Sequence, residues 1–178
     1  MIKLFNCDCL DFLCSQNCKD LLKGRKAVIV TNPPFNIGYH YNQYKDNIDE
    51  GKYFEWLKNI LTRRGLPFVV IHLQPYKNPN DKRIKERIKN GKLGCKLYDL
   101  GNINQVKKVS KKGLTHPCIM PVEVMKNIIG VLPEDYIIID PFMGSGATGI
   151  AAKQLGRDFI GCELNEEYFN EAIKRLKE

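Results

Sequence analysis

Two kinds of apolar pattern alternate along this chain. Short continuous runs, bounded by polar, Gly or Pro positions, predict buried strands at "IKLFN" (2–6), "KAVIV" (26–30), "PFVVIHL" (67–73), "DYIIID" (135–140) and "DFIGCEL" (158–164). Between them, apolar residues recur with helical spacing. That spacing predicts a helix from about Leu10, another over "YFEWLKNILTRR" (53–64) that stops at Gly65, and a basic helix near 80–91. It predicts three more over "VEVMKNIIGV" (122–131) with Pro121 in the first turn, "TGIAAKQL" (148–155) and "NEEYFNEAIKRLKE" (165–178). "CKLYDLGNI" (95–103) and "QVKKVS" (105–110) predict further short strands. Strand runs that are apolar on both faces and alternate with helices predict an α/β fold with a Rossmann-like, doubly wound, mainly parallel sheet.

Composition narrows the class. The 178 residues suit a single domain with a real core, and no repeat or long linker divides them. Hydrophobic content of 43% and charged content of 27% exclude a disordered chain. No apolar run approaches the roughly 18 residues of a membrane span. "MIKLFNCDCLDF" lacks the apolar segment of a signal peptide, so a cytoplasmic location is expected. Four of the seven cysteines (Cys7, Cys9, Cys14, Cys18) crowd the first eighteen residues, but their spacing matches no common zinc pattern. Reduced thiols on a strand and the helix after it are the expected state, with no metal.

The net charge of +8 is local. Residues 76–112 hold twelve Lys or Arg against Asp81, Glu86 and Asp99, a segment charge of +9 that covers the whole excess. Clustered cations of this kind are the usual footprint of a nucleic-acid partner, although a solvated helix face would have the same composition.

Two segments carry candidate chemistry. In "IIIDPFMGSGATGIAAKQLGRDFIGCEL" a strand ends at Asp140, the chain turns through Gly144, Ser145 and Gly146, and a helix follows at once. The next strand ends at Glu163, about twenty residues on, where a carboxylate can accept hydrogen bonds from two ribose hydroxyls. With Gly149 the turn formally completes G-x-G-x-x-G, so a dinucleotide is the competing ligand. Asp140 before the turn would repel a pyrophosphate and tolerate a cationic sulfonium, which favours S-adenosylmethionine over NAD.

The second segment is the corner "TNPPF" at the end of the strand "KAVIV". A nucleobase amine is a poor nucleophile because its lone pair is delocalised into the ring. A site that accepts hydrogen bonds from both amine hydrogens can localise that lone pair without a strong base. Asn32 offers a side-chain carbonyl, the backbone carbonyl of Pro33 has its direction fixed by the adjoining prolines, and Phe35 offers a face on which an extruded base can stack.

Together these residues resemble the amino-group DNA methyltransferases, which make N6-methyladenine or N4-methylcytosine. "NPPF" (Asn32, Pro33, Pro34, Phe35) resembles their catalytic motif and "DPFMGSGATG" their cofactor motif, in the permuted order of the class commonly called beta. "THPCIMPVEVMKNII" resembles the segment before the cofactor strand, with Met120 where a lysine is common. "NCDCLDFL" resembles the N-terminal Gly-Asp-x-Leu element, with Cys7 in place of the glycine, and "NIGYHYNQYKDN" resembles the continuation of the catalytic loop. The resemblance implies the fold of the S-adenosylmethionine-dependent methyltransferases. It implies cofactor contacts at Asp8, Thr31, Thr115, His116, Pro117, Asp140, Pro141, Phe142, Gly144, Ser145, Gly146, Thr148, Glu163, Leu164 and Asn165. It also implies double-stranded DNA as partner, with adenine N6 as the favoured target and cytosine N4 as the alternative.

The middle departs from the family. Only about sixty residues separate Trp56 from Thr115, too few for a separate target-recognition region. The expected layout is therefore one methyltransferase domain over 1–178: a catalytic half (1–75), a short basic DNA-contacting middle (76–114) and a cofactor half (115–178). Tyr39, Tyr41, Lys82, Arg83, Lys85, Arg87, Lys107, Lys108, Lys111 and Lys112 are the expected nucleic-acid contacts, largely to phosphate. Target recognition would come from this segment, from a homodimer partner or from a separate subunit, or else be relaxed. Competing readings are an RNA or glutamine methyltransferase, cytosine-C5 chemistry at Cys118, and a non-catalytic or decayed DNA-binding subunit. The permuted order counts against the first, the position of Cys118 before the cofactor strand against the second, and the intact Asn32, Asp140 and Glu163 against the third. No nuclease motif is evident, so a paired restriction enzyme is not implied.

Overall fold

The computed structural model describes residues 1–34, 36, 47–70 and 119–178. Five strands form one sheet in the order β1-β5-β4-β2-β3: β1 (Ile2–Asn6), β2 (Ala27–Thr31), β3 (Phe68–Val70), β4 (Ile137–Asp140) and β5 (Phe159–Glu163). Every pairing is parallel, with Ile29 opposite Ile139 at the centre and Asn6 opposite Glu163 at the β1 edge. The strands expected at 2–6, 26–30, 135–140 and 158–164 are all present. The one expected at 67–73 is described as far as Val70, and the basic helix and the short strands of 95–110 lie outside the described residues.

Parallel pairing forces the chain to cross over between strands, and the crossovers cover both faces. On one face, α1 (Cys9–Cys14), α2 (Gln16–Leu22) and α3 (Glu50–Thr62) enclose a core built on Ile29, Ile137, Ile139 and Ile160, joined by Phe12, Leu13 and Ile60. On the other, α4 (Val122–Gly130), α5 (Ala147–Gln154) and α6 (Glu166–Lys177) close over Val28, Val30, Ile138 and Phe159, joined by Met125, Ile129 and Ala151. Val28 and Val30 belong to one core and Ile29 to the other, the period-two alternation of a strand. With both faces covered, β2 and β4 are buried at every position, which is why they read as unbroken apolar runs.

Two boundaries differ from the pattern. The single helix expected after β1 is two short ones, broken at Ser15, whose extended backbone (φ −68°, ψ 157°) ends α1 and whose hydroxyl caps α2 by accepting from Cys18 N–H. Pro121 stands one residue before α4, as its N-cap, rather than inside the first turn. Its extended backbone (φ −62°, ψ 131°) delivers the chain to the helix without being part of it. The crowded cysteines are free thiols spread over β1's exit and the first two helices, with Cys9 and Cys18 buried in the core. Among the described residues, no helix is long and apolar enough to cross a membrane.

Candidate active site

The strand order reverses between β2 and β4. β2 feeds α3 on one face while β4 feeds α5 on the other, so a crevice opens at their carboxyl ends, where parallel α/β sheets bind ligands. A cavity of about 190 Å³ occupies that place. Its walls include Asn32 and Pro34 after β2, Asp140 through Ser145 after β4, and Glu163 through Asn165 after β5.

Asp140 ties β2 to β4. Its carboxylate is buried (2% exposed), with Oδ1 accepting from the Thr31 hydroxyl at 2.6 Å and the Phe142 N–H at 3.0 Å, and Oδ2 from the Thr148 hydroxyl at 2.5 Å. Burial pushes its pKa up, and the two hydroxyls and the N–H pull in the opposite direction. Thr31 therefore serves the site through Asp140, being fully buried and not on the cavity wall.

The turn after β4 is held from within. Gly144 N–H donates to Glu163 Oε2 at 2.8 Å, Met143 N–H to the Cys162 carbonyl at 2.9 Å and Gly146 N–H to the Met143 carbonyl at 2.9 Å. A phosphate-binding turn would aim such N–H groups at its ligand. Here they are committed to protein acceptors, which argues against a dinucleotide. Gly146 takes φ +83° as the N-cap of α5, and a Cβ on Gly149 would stand 2.7 Å from the Phe159 ring. The third glycine of the motif thus serves the contact of α5 with β5. From α6, Arg175 Nη1 braces the turn by donating to the Ser145 carbonyl and, at 2.9 Å, to its hydroxyl.

Glu163 Oε1 accepts the Asn165 N–H at 2.8 Å, so each of its oxygens holds one backbone donor and keeps a lone pair for a ligand hydroxyl. Burial raises its pKa, with a smaller push from the Asp140 charge, and the N–H groups of Asn165, Gly144 and Leu164 oppose the rise. Asp8 lines the cavity while capping α1, with Oδ1 accepting from Leu10 N–H at 2.7 Å.

The corner is equally fixed. Pro33 is buried, and the Pro34 carbonyl accepts the Tyr53 hydroxyl from α3 at 2.7 Å. Asn36, at φ +55°, clamps the far side of the loop through its side-chain amide. That amide donates to the Ile48 carbonyl at 2.9 Å and accepts from the Ile48 N–H at 2.8 Å. Asn32 Oδ1 is buried and has no hydrogen-bond partner among the described residues, on a side chain that lines the cavity. An orphaned buried acceptor costs about 1–3 kcal/mol, so it marks a place where a donor is expected to arrive.

The structure thus brings Asp8, Asn32, Pro34, Asp140, Pro141, Phe142, Gly144, Ser145, Thr148, Glu163, Leu164 and Asn165 to one cavity. Thr31, Pro33 and Gly146 adjoin lining residues in the chain without being among them. Phe35, Thr115, His116, Pro117 and Cys118, together with Tyr39, Tyr41, Lys82, Arg83, Lys85, Arg87, Lys107, Lys108, Lys111 and Lys112, lie outside the described residues. Trp56, Tyr168, Met120 and Met125 line the cavity without having been singled out as site residues in the sequence. For Trp56 there was a signal: it is the sole tryptophan, three residues after Tyr53 on the helix that follows the corner.

A doubly wound parallel sheet with its cavity at the strand ends defines the class: an α/β protein with the architecture of the solved DNA methyltransferases. The M1.HpyAVI–SAM complex superposes with a TM-score of 0.54 at 20% identity, covering 99% of this chain and 100% of the other. The PvuII DNA methyltransferase, described as cytosine-N4-specific, gives 0.59 at 17% identity, covering 98% and 86%. At these identities the likeness is one of fold. The family model described as DNA methylase, N6_N4_Mtase, matches residues 68–174, more than half of the chain, and the chain belongs to that family. Among curated relatives, the type II methyltransferase M1.MboII of Moraxella bovis is 41% identical over 87 residues, covering 47% of this chain and 33% of its own length. M2.DpnII of Streptococcus pneumoniae is 41% identical over 85 residues, covering 47% and 32%. The chain thus spans about a third of the length of these relatives.

Proposed function

We propose that this chain transfers a methyl group from S-adenosylmethionine to the exocyclic amine of a flipped DNA base, adenine N6 before cytosine N4. The observation that carries the reading is Asn32 Oδ1, an unpartnered buried acceptor on the wall of the cavity.

The cavity suits a cationic nucleoside cofactor. Among its described lining residues are three carboxylates (Asp8, Asp140, Glu163) and no Lys, Arg or His, in a chain of net charge +8. Glu163 would take the ribose hydroxyls on its free lone pairs, and Asp8, Asn165 and the residues Thr115, His116 and Pro117 would complete the cofactor's contacts. When bound, S-adenosylmethionine supplies an electrophilic methyl on a positively charged sulfur and leaves as a neutral thioether.

The chain's own work lies at the corner. Asn32 Oδ1 and the Pro33 carbonyl accept the two amine hydrogens, which draws the nitrogen lone pair out of the ring system and toward the methyl carbon. The amine's displaced proton passes to solvent, because an amide is no base. The Tyr53 hydroxyl on Pro34 and the Asn36 clamp keep the acceptors still, so little reorganisation accompanies the reaction. Phe35 stacks the extruded base, and the cations of 76–112 bind the phosphate backbone. The short middle segment, a second copy of the chain and a separate subunit are the candidate sources of target recognition.

Labelled S-adenosylmethionine, mixed double-stranded DNA and mixed RNA test the reading. Label in DNA, recovered as N6-methyladenine on nucleoside analysis, is expected. Strong uptake into RNA with none into DNA would overturn it.

A further inference from the structure

We infer that Trp56, together with Phe142, forms an aromatic wall that recognises the positive charge of the methyl donor, and that the same wall favours departure of the neutral product. The inference rests on the cofactor proposed above and assigns a role to a residue outside the cofactor and catalytic motifs.

Trp56 is the only tryptophan of the chain, on α3, and lines the same cavity as Asn32 and Pro34. Its ring centroid lies 5.3 Å from that of Phe142 in the cofactor turn, with planes inclined by 47°. One helical turn earlier, Tyr53 holds α3 to the corner through the Pro34 carbonyl, so the indole and the Asn32 acceptor are fixed to the same frame. The amine bonded to Asn32 must lie within reach of the methyl carbon, which sets the sulfur at the corner end of the cavity rather than the Glu163 end. There Pro34 meets the Tyr53 hydroxyl, the Tyr53 ring lies 5.9 Å from that of Trp56, and Trp56 stands against Phe142.

Asp140, bonded to the Phe142 N–H, already receives three donors on its two oxygens. Its charge is partly answered within the protein. A desolvated cation there gains from the negative faces of aromatic rings, with tryptophan the best of them. Loss of the methyl group removes the charge and with it this attraction, while the adenosine contacts are unchanged. Trp56 thus sets the ratio of donor to product affinity rather than either affinity alone.

Calorimetric dissociation constants for S-adenosylmethionine, S-adenosylhomocysteine and sinefungin, whose protonated amine stands in place of the sulfonium, test this on the wild type, Trp56→Phe and Trp56→Leu. The wild type is expected to prefer both cationic ligands over S-adenosylhomocysteine. Trp56→Leu should narrow that preference by roughly fivefold to thirtyfold, the size of one desolvated cation–π contact, and Trp56→Phe should retain most of it. Lost packing alone would weaken all three ligands together, and an unchanged ratio in Trp56→Leu overturns the inference. Should the leucine variant not fold, the intact wild type still decides. Binding of S-adenosylmethionine must then change the emission of its single tryptophan and be preferred over S-adenosylhomocysteine. Failure of either refutes the wall. A wild type that binds none of the three ligands removes the proposed cofactor itself, an outcome distinct from binding with equal affinities.

Discussion

Replacing Thr31 with valine tests the bond that joins the two halves of the site. The substitution keeps the shape of the side chain and removes the hydroxyl that donates to Asp140 Oδ1 at 2.6 Å in a fully buried position. A hydrogen bond to an ionised group contributes about 1.5–3 kcal/mol, and one to a neutral group about 0.5–1.5 kcal/mol. At pH values above the folded pKa of Asp140, where the carboxyl is ionised, Thr31→Val should therefore cost about 1.5–3 kcal/mol, a fall in melting temperature of roughly 3–12 °C for a chain of this size. The cost also has a pH signature. Burial raises the folded pKa of Asp140 above its unfolded value, so the protein is favoured with Asp140 protonated. That contribution is fully present below the unfolded pKa of about 3.9 and is lost as pH rises through the folded pKa. Removing Thr31's donor raises the folded pKa further. The deficit of the variant should thus be largest above the folded pKa of Asp140 and shrink to about half or less as pH falls through it. Calorimetric melts of both proteins over a pH series from acidic to alkaline measure this. A deficit below about 0.5 kcal/mol, or one that does not change with pH, would refute the assignment of Thr31 as a donor to a buried charge.

Gly149→Ala gains about 1 kcal/mol of helix propensity but sets a methyl 2.7 Å from the buried Phe159 ring, a clash worth roughly 1–3 kcal/mol. A melting temperature lowered by a few degrees is expected, and a stabilised variant would show that α5 can move off β5. Glu163→Gln turns one acceptor oxygen into an amide that faces a backbone N–H, either Gly144's or Asn165's. Cofactor affinity should fall roughly tenfold to hundredfold by calorimetry, equivalent to about 1.4–2.7 kcal/mol. Wild-type affinity in this variant would remove Glu163 from the binding site.

Much of this architecture is legible in the sequence because burial on both faces leaves strands no polar positions. The runs expected at 26–30, 135–140 and 158–164 end within one residue of β2, β4 and β5. The turn was legible for a related reason: Gly146 must take a positive φ and Gly149 must admit a ring, and neither tolerates another residue without strain or displacement. Other features arise only when distant segments meet. Thr31 and Asp140 are 109 positions apart, and their hydrogen bond makes Asp140 a brace between strands as well as part of the cavity wall. Arg175 reads as an ordinary basic residue near the end of a helix, yet it holds Ser145 thirty positions away. Trp56 reads as one apolar position of an amphipathic helix until Phe142 stands beside it. Ser15 breaks the first helix because its hydroxyl can cap the second, a local competition that periodicity alone does not report.

The central claim is that the Asn32 carbonyl serves the substrate amine. Asn32→Ala removes an acceptor that has no described partner in the protein, so it should leave the fold and the cofactor affinity near wild type. The decisive measurement is methyl transfer to double-stranded DNA by this variant, alongside its dissociation constant for S-adenosylmethionine. The account predicts intact binding with transfer reduced at least a hundredfold, the scale seen when a single electrostatic contact to the reacting centre is lost. Transfer at near wild-type rate with binding intact would contradict it.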